Sequence, residues 1–246
     1  MFERSARVYD LLYSFKDYEV EARDLVRLIH ERNPGATSLL DVACGTGKHL
    51  ELLRGDFSDV AGVDLNAELL AIAQERLPDV PFTAADMRTF DLGRTFDAVT
   101  CLFSSVGYLR DEADLAEAIA RMAAHLGPGG VLIVDGWVRP DAWWPGINVQ
   151  ALAETAGGVA AARVARTWRE GDRSVLDMRY LIATADDGFE QEQERHELTL
   201  FSDEAYRAAF EMASLAPEVV ASPMQDRDRY VAVKPLTVVA RRSPRA

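Results

Sequence analysis

Cysteine is scarce in this sequence, with two among 246 residues, Cys44 and Cys101. Both stand at the ends of apolar runs, where a small reduced thiol packs well, and two such residues make neither a disulfide framework nor a metal-ligand set. No metal is therefore expected. Long apolar runs are missing too. None approaches the roughly 20 residues that cross a bilayer, and the opening "MFERSARVYD" carries charge where a secretory signal needs an apolar stretch. The expectation is a cytoplasmic protein with no membrane partner. Positive charge is short as well: 27 Lys and Arg stand against 40 Asp and Glu, a net −13, which works against contact with a phosphodiester backbone. No nucleic-acid partner is expected. The stretch 226–246, with six Lys or Arg against two Asp, still leaves room for a small anionic ligand. Repeats and low-complexity tracts are absent.

What is present is an alternation. "TSLLDVACG", "DVAGVDLN", "VPFTAADM", "FDAVTCLFSS" and "VLIVDGW" read as buried strands. Helical patterns separate them: one from about Gly47 to Arg54, "AELLAIAQERLP" stopped by Pro78, and "DEADLAEAIARMAAHL", which ends at the turn "GPGG". Five such strands predict an α/β fold, a doubly wound and mainly parallel sheet with ligands at the carboxyl ends of its strands. Two helices, "RSARVYDLLYSF" and "YEVEARDLVRLIHERN", precede it. After Trp137 the period changes to two, and three stretches within 159–201, turning at Gly171-Asp172 and Asp187-Gly188, predict an antiparallel β-meander inserted after the fifth strand. A helix capped by Ser202 and two strands near 217–222 and 229–240 follow. One domain over 1–246 is expected, with a ligand-binding half at 1–136, an insertion or lid at 137–201 and a closing part at 202–246.

The chemistry concentrates at the strand tips. In "DVACGTG", Gly45 and Gly47 permit a tight strand-to-helix turn and close backbone approach, and Asp41 puts a carboxylate beside it. Asp64 ends the second strand, where an acid can accept both hydroxyls of a ribose, as it does for dinucleotides and other adenosyl ligands. A dinucleotide cradle wants G-x-G-x-x-G, and here Leu50 takes the third glycine's place. Asp86 and Met87 end the third strand, an acid for an adenine amino group and a thioether for the ring face. Three acids ending three successive strands suit a cationic adenosyl ligand better than a diphosphate.

With "LLDVACGTGKHL", "GVDLNAELLAIA", "AADMRTFDLG" and "FDAVTCLFSSVGYL" in order, the chain resembles the class I S-adenosylmethionine-dependent methyltransferases, which have a Rossmann-like fold. Through "FSSVGYL", "RHELTLFS" and the "YDL...KDY" opening it is similar, over nearly its whole length, to the N,N-dimethyltransferases of thymidine-diphosphate amino sugars in macrolide pathways. That resemblance implies S-adenosyl-L-methionine as cofactor. It implies Tyr9 and Lys16 at the methionyl end, Ala43 and Gly45 along the backbone, Asp64 and Leu65 at the ribose, Asp86 and Met87 at the adenine, and Leu102 with Phe103 on the sulfonium side. For a nucleotide-linked amino sugar it implies Tyr108, Trp137, Arg166, Arg179 and Arg227, with Phe2 where relatives have a tyrosine, and Tyr108 as proton acceptor. A homodimer is also implied. The chain departs from the pattern at Gly136 and Val138, after the retained Asp135, and at "DRDRY" in place of "GRG". Methylation of an oxygen on a sugar or polyketide, a nicotinamide-dependent oxidoreductase and a non-catalytic binding protein stay open at this point.

Overall fold

Alternate residues of the five apolar runs pack on opposite faces of one sheet, as strands covered on both sides require. In the computed structural model, which describes residues 9–14, 16–154, 158–185, 188–221 and 227–236, these are β1 (Ser38–Val42), β2 (Asp59–Asp64), β3 (Phe82–Ala84), β4 (Phe96–Cys101) and β5 (Leu126–Asp135). Later come β6 (Gly146–Glu154), β7 (Val159–Glu170), β8 (Arg173–Thr184), β9 (Gly188–Thr199), β10 (Glu218–Ala221) and β11 (Asp228–Val233). The larger sheet runs β10-β11-β5-β4-β1-β2-β3. Its first five strands pair in parallel, while β11 and β10 are antiparallel additions. The order reverses between β1 and β4, and the site forms at the strand tips there.

The helices are α1 (Tyr9–Leu12), α2 (Tyr18–Arg32), α3 (Lys48–Leu53), α4 (Ala67–Arg76), α5 (Glu112–Ala124) and α6 (Asp203–Met212). On one face, Leu115, Ile119 and Met122 of α5 and Tyr206 and Phe210 of α6 pack on Val42, Val99, Leu132 and Tyr230. On the other, Leu25 and Ile29 of α2, Leu50 and Leu53 of α3 and Leu70 of α4 pack on Leu39, Ala98, Ile133 and Val231. The sheet is thus doubly wound, as the sequence predicts. Short polar side chains start the helices: Asn66 accepts from the amides of Glu68 and Leu69, Asp111 from Asp114, and Ser202, as expected, from Ala205. Both cysteines are buried free thiols.

Three expectations change in detail. The turn "GPGG" is part of β5, because its pairing with β4 shifts register between Phe96 and Ala98 instead of breaking. The smaller antiparallel sheet has four strands, β6-β7-β8-β9, since residues 146–154 pair along β7 from Gly146↔Thr167 to Glu154↔Val159. The first predicted helix is the single turn α1 within the described residues. One face of the small sheet, with Ala161, Ala165, Met178, Tyr180 and Ile182, packs on Leu12 of α1. No helix among the described residues is long and apolar enough to cross a membrane.

Candidate functional site

The first strand delivers the chain to the site through a left-handed turn. Ala43, Gly45 and Gly47 have φ of 59°, 55° and 73°, a region that costs a residue with a Cβ about 1–2 kcal/mol. At Gly45 an added Cβ would meet no atom within 4 Å, so the side-chain direction there is open. At Gly47 it would lie 3.2 Å from Ala73 Cβ. Gly47, expected among ligand contacts, therefore serves the approach of the turn to α4 and does not line the cavity. The Gly45 N–H donates to Asp64 Oδ2 at 2.8 Å, and the Asn66 N–H donates to Oδ1 at 2.8 Å. Burial pushes the Asp64 carboxyl above its ordinary pKa, and the amide bonds from Asn66 and Gly45 oppose this.

From this turn opens a cavity of about 570 Å³, lined by Ala43, Gly45, Asp64, Leu65, Met87 and Tyr108 among others. Asp86 lines it as well. Its two oxygens accept from Arg88 Nε at 3.0 Å and Arg88 Nη2 at 2.5 Å, and Arg88 Nη1 reaches Asp114 at 3.0 Å. The guanidinium holds the Asp86 carboxyl below the usual range, so it stays a charged acceptor with a fixed plane. Asp41 does not reach the large cavity. It borders a recess of about 40 Å³ with Leu102 and Phe103, and Thr100 Oγ1 donates to it at 2.7 Å. Burial pushes its pKa up to about 7, against the Thr100 bond.

The tip of β4 is strained. Phe103 and Ser104 are consecutive left-handed residues with φ of 57° and 63°, a conformation that persists only where surrounding contacts over-determine it. Three do so here. The Phe103 N–H donates to Asp135 Oδ2 at 3.1 Å, Ser104 Oγ donates to the Gly136 carbonyl at 2.6 Å, and Arg227 Nη1 donates to Ser104 Oγ at 2.9 Å. Asp135 is in turn held by Arg229, whose Nε and Nη2 lie 2.6 and 3.3 Å from its oxygens. The Phe103 ring meets the Tyr13 ring edge-on at 5.0 Å, and the buried Lys16 ammonium sits 4.1 Å above its centroid. Lys16 pairs with Glu21 at 2.7 Å. Burial lowers its pKa, and Glu21 opposes that shift.

The remaining predicted positions divide. Arg227 stacks over Trp137, with its guanidinium carbon 3.9 Å from the ring centroid, and burial lowers its pKa to about 10, leaving it a cation at neutral pH. Tyr108 borders the cavity from a 3-10 turn, Ser105–Tyr108. Arg166 and Arg179 do not join them. Strand alternation puts both on the outer face of the small sheet, Arg179 in a weak contact with Asp177 at 3.5 Å. The inward arginine of β7 is Arg163, which donates to the Tyr13 hydroxyl at 3.1 Å. Tyr9 begins α1, its side chain outside what is described, and Phe2 lies outside the described residues. Sequence reasoning missed Arg88, Arg163, Arg229 and the pair Glu194 and His196. None left a clear signal: Arg163 shares a face with the buried Ala161 and Ala165, but Arg166 stands among small residues in the other phase of β7.

Comparison with known proteins adds to this geometry. A family model described as a methyltransferase domain matches residues 39–130. The dTDP-3-amino-3,6-dideoxy-alpha-D-glucopyranose N,N-dimethyltransferase of Streptomyces fradiae is 45% identical over 215 residues, 87% of this chain and 84% of the relative. The crystal structure of Streptomyces venezuelae DesVI superposes with a TM-score of 0.89 at 40% identity, covering 93% of this chain and 98% of that one. CalS10 from Micromonospora echinaspora, an amino pentose methyltransferase solved with bound SAM, gives 0.81 at 40% identity, covering 89% and 92%.

Proposed function

The chain belongs to the methyltransferase family of these sugar N-methyltransferases, and from that premise we propose that it transfers methyl groups from S-adenosylmethionine to the amine of a dTDP-linked deoxyamino sugar. The observation that carries the reading is the Asp64 carboxylate, fixed by the Gly45 amide in the lining of a cavity that Asp86 and Met87 also line. A cavity of about 570 Å³ is the size of a small-molecule site. The open space at Gly45 lets backbone approach a ligand, so the residues present fit an adenosyl cofactor. Asp64, with Leu65 beside it, would take the ribose hydroxyls, and Asp86 and Met87 the adenine. Leu102 and Phe103 would wall the methionyl side, and Lys16 would close it from the chain's opening segment. When bound, the cofactor supplies an activated methyl on a sulfonium.

This chain's own residues then contribute position and exclusion of water. Arg227, a desolvated cation backed by Trp137, suits a phosphate of the nucleotide. Tyr108 borders the cavity where the amine would sit, and it is the amine that must shed a proton before attack. We assign residues 1–136 to the cofactor, 137–201 to the wall over the acceptor, and 202–246 to closing the sheet around Arg227. Two further readings follow. The buried free thiols suit a reducing cytoplasm. The outer face of the small sheet, where Val149 pairs with Val164 and Ile147 is 76% exposed, suits a two-fold homodimer contact.

The test incubates the protein with methyl-labelled S-adenosylmethionine and a panel of dTDP-linked amino and hydroxy sugars. Label and a mass gain on the amino sugars are expected. Transfer only to hydroxyl acceptors, or no transfer at all, would overturn the reading.

A further inference from the structure

Behind Tyr108 lies a second layer of titratable side chains that the cofactor reading does not use. The Tyr108 hydroxyl is 2.8 Å from His196 Nδ1. The other ring nitrogen, Nε2, is 3.1 Å from Glu194 Oε2, and the Tyr180 hydroxyl donates to that same oxygen at 3.1 Å. His196 and Glu194 are two residues apart on β9, so they share one face of the strand. That face is closed: His196 is 3% exposed.

The direction of the bonds follows from the partners. A carboxylate only accepts, so His196 carries its proton on Nε2 and donates it to Glu194. Nδ1 is then a lone pair, and Tyr108 donates to it. One end of this chain is a phenol at the cavity wall, and the other is a partly buried carboxylate whose charge an imidazolium would offset.

We propose that His196, oriented by Glu194, receives through Tyr108 the proton that the substrate amine sheds before methyl transfer. This rests on the amine-methylating reading above. In the step an N–H bond of the substrate ammonium breaks and an O–H bond forms on Tyr108. The hydroxyl's former proton moves to His196 Nδ1, so one positive charge passes from ammonium to imidazolium and the amine keeps its electron pair. After product departure the same path returns the proton to solvent. Groups facing the relay from other elements are Tyr13 after α1, Tyr180 of β8 and, through Tyr13, Arg163 of β7. His196 is a positioning residue here, because Tyr108 alone would touch the substrate.

The test compares methyl transfer to a dTDP-amino sugar by the wild type, His196→Gln and Tyr108→Phe between pH 6 and 10, with cofactor affinity measured by calorimetry. Removing a general base costs about 10²–10⁴-fold. The proposal expects a loss of at least about 10²-fold at pH 7 in both variants that shrinks about tenfold per pH unit as the amine loses its own proton to solvent. Cofactor affinity should hold within about twofold in His196→Gln, since His196 is not part of the cavity lining that holds Asp64 and Asp86. A loss equal at every pH, or none, would overturn the relay. Should His196→Gln fail to fold, Tyr108→Phe carries the same profile, and ¹⁵N spectra of the wild-type imidazole must show the proton on Nε2. A proton on Nδ1 would overturn it. Failure of the wild type to methylate any amine would instead remove the reading on which the relay rests.

Discussion

Replacing Arg229 with methionine isolates the clasp beneath the strained tip of β4. Arg229 is 1% exposed and Asp135 2%, and two nitrogens of the guanidinium reach the carboxylate while the third reaches Asp24 at 3.0 Å. Methionine fills the apolar part of the space and leaves Asp135 charged, with the Phe103 amide as its remaining named donor. Breaking a buried pair on one side costs about 3–5 kcal/mol, most of it the stranded charge. The partly exposed Asp24 contact adds no more than about 1 kcal/mol. For a chain of this length about 1 kcal/mol moves Tm by roughly 2–4 °C, so a fall of about 6–24 °C is expected by differential scanning calorimetry. The double variant Arg229→Met with Asp135→Asn removes the charge as well and should recover more than half of that loss, a coupling that a double-mutant cycle reads directly. A single variant within about 1 kcal/mol of wild type, or strictly additive effects, would refute the reasoning. Cofactor affinity should fall below the melting transition too, because the Phe103 amide loses its fixed partner.

Asp64→Ala should weaken S-adenosylmethionine at least about 10²-fold in calorimetry, since two charge-assisted bonds are worth about 1.5–3 kcal/mol each; a change under threefold would remove Asp64 from the ribose. Arg227→Met should weaken binding of thymidine diphosphate about tenfold or more while cofactor affinity shifts less than threefold, and equal effects would dissociate Arg227 from the phosphate. Asp41 titrates near 7 when folded and near 4 when unfolded, so its contribution is full below pH 4 and is lost as pH rises through 7. Asp41→Asn should therefore gain stability over wild type between pH 4 and 8, by up to a few kcal/mol in urea melts, and a pH-independent difference would contradict the buried carboxyl. For the outer face, Val164→Glu should convert a dimer to a monomer in sedimentation; a wild-type monomer at high concentration would dismiss that contact.

The parallel half was legible in sequence because its strands fall on apolar runs separated by helical ones, and acids mark several of their ends, Asp64 on β2, Asp86 just past β3 and Asp135 on β5. Asp64 and Asp86 could be placed by counting to the ends of their runs. Gly47 resembled Gly45 in sequence, and only the approach of Ala73 separates their duties. The antiparallel half was harder. Both alternations of β7 contain an arginine among small residues, so residue type does not set the phase, and apolar Val164 and Leu181 stand on the outside. One residue of phase turned Arg166 outward and Arg163 inward. Strand β6 went unread behind Pro140, Pro145 and two tryptophans, since its Ile147 and Val149 are exposed and its evidence is pairing with β7. His196 stands in the stretch "RHELTLFS" that carries the resemblance, but its partner Tyr108 lies 88 residues away in sequence, so their contact was not legible.

Strand β11 enters the larger sheet between β10 and β5, although every other strand of that sheet precedes it in the chain. A polypeptide made from its amino end can therefore align β1 to β5 while Asp135 still waits for its counterion. Arg227, just before β11, and the clasp residue Arg229 on it both arrive with this last insertion. Ligand affinity in a stalled nascent chain should thus report the arrival of β11, making the site itself the final checkpoint of assembly.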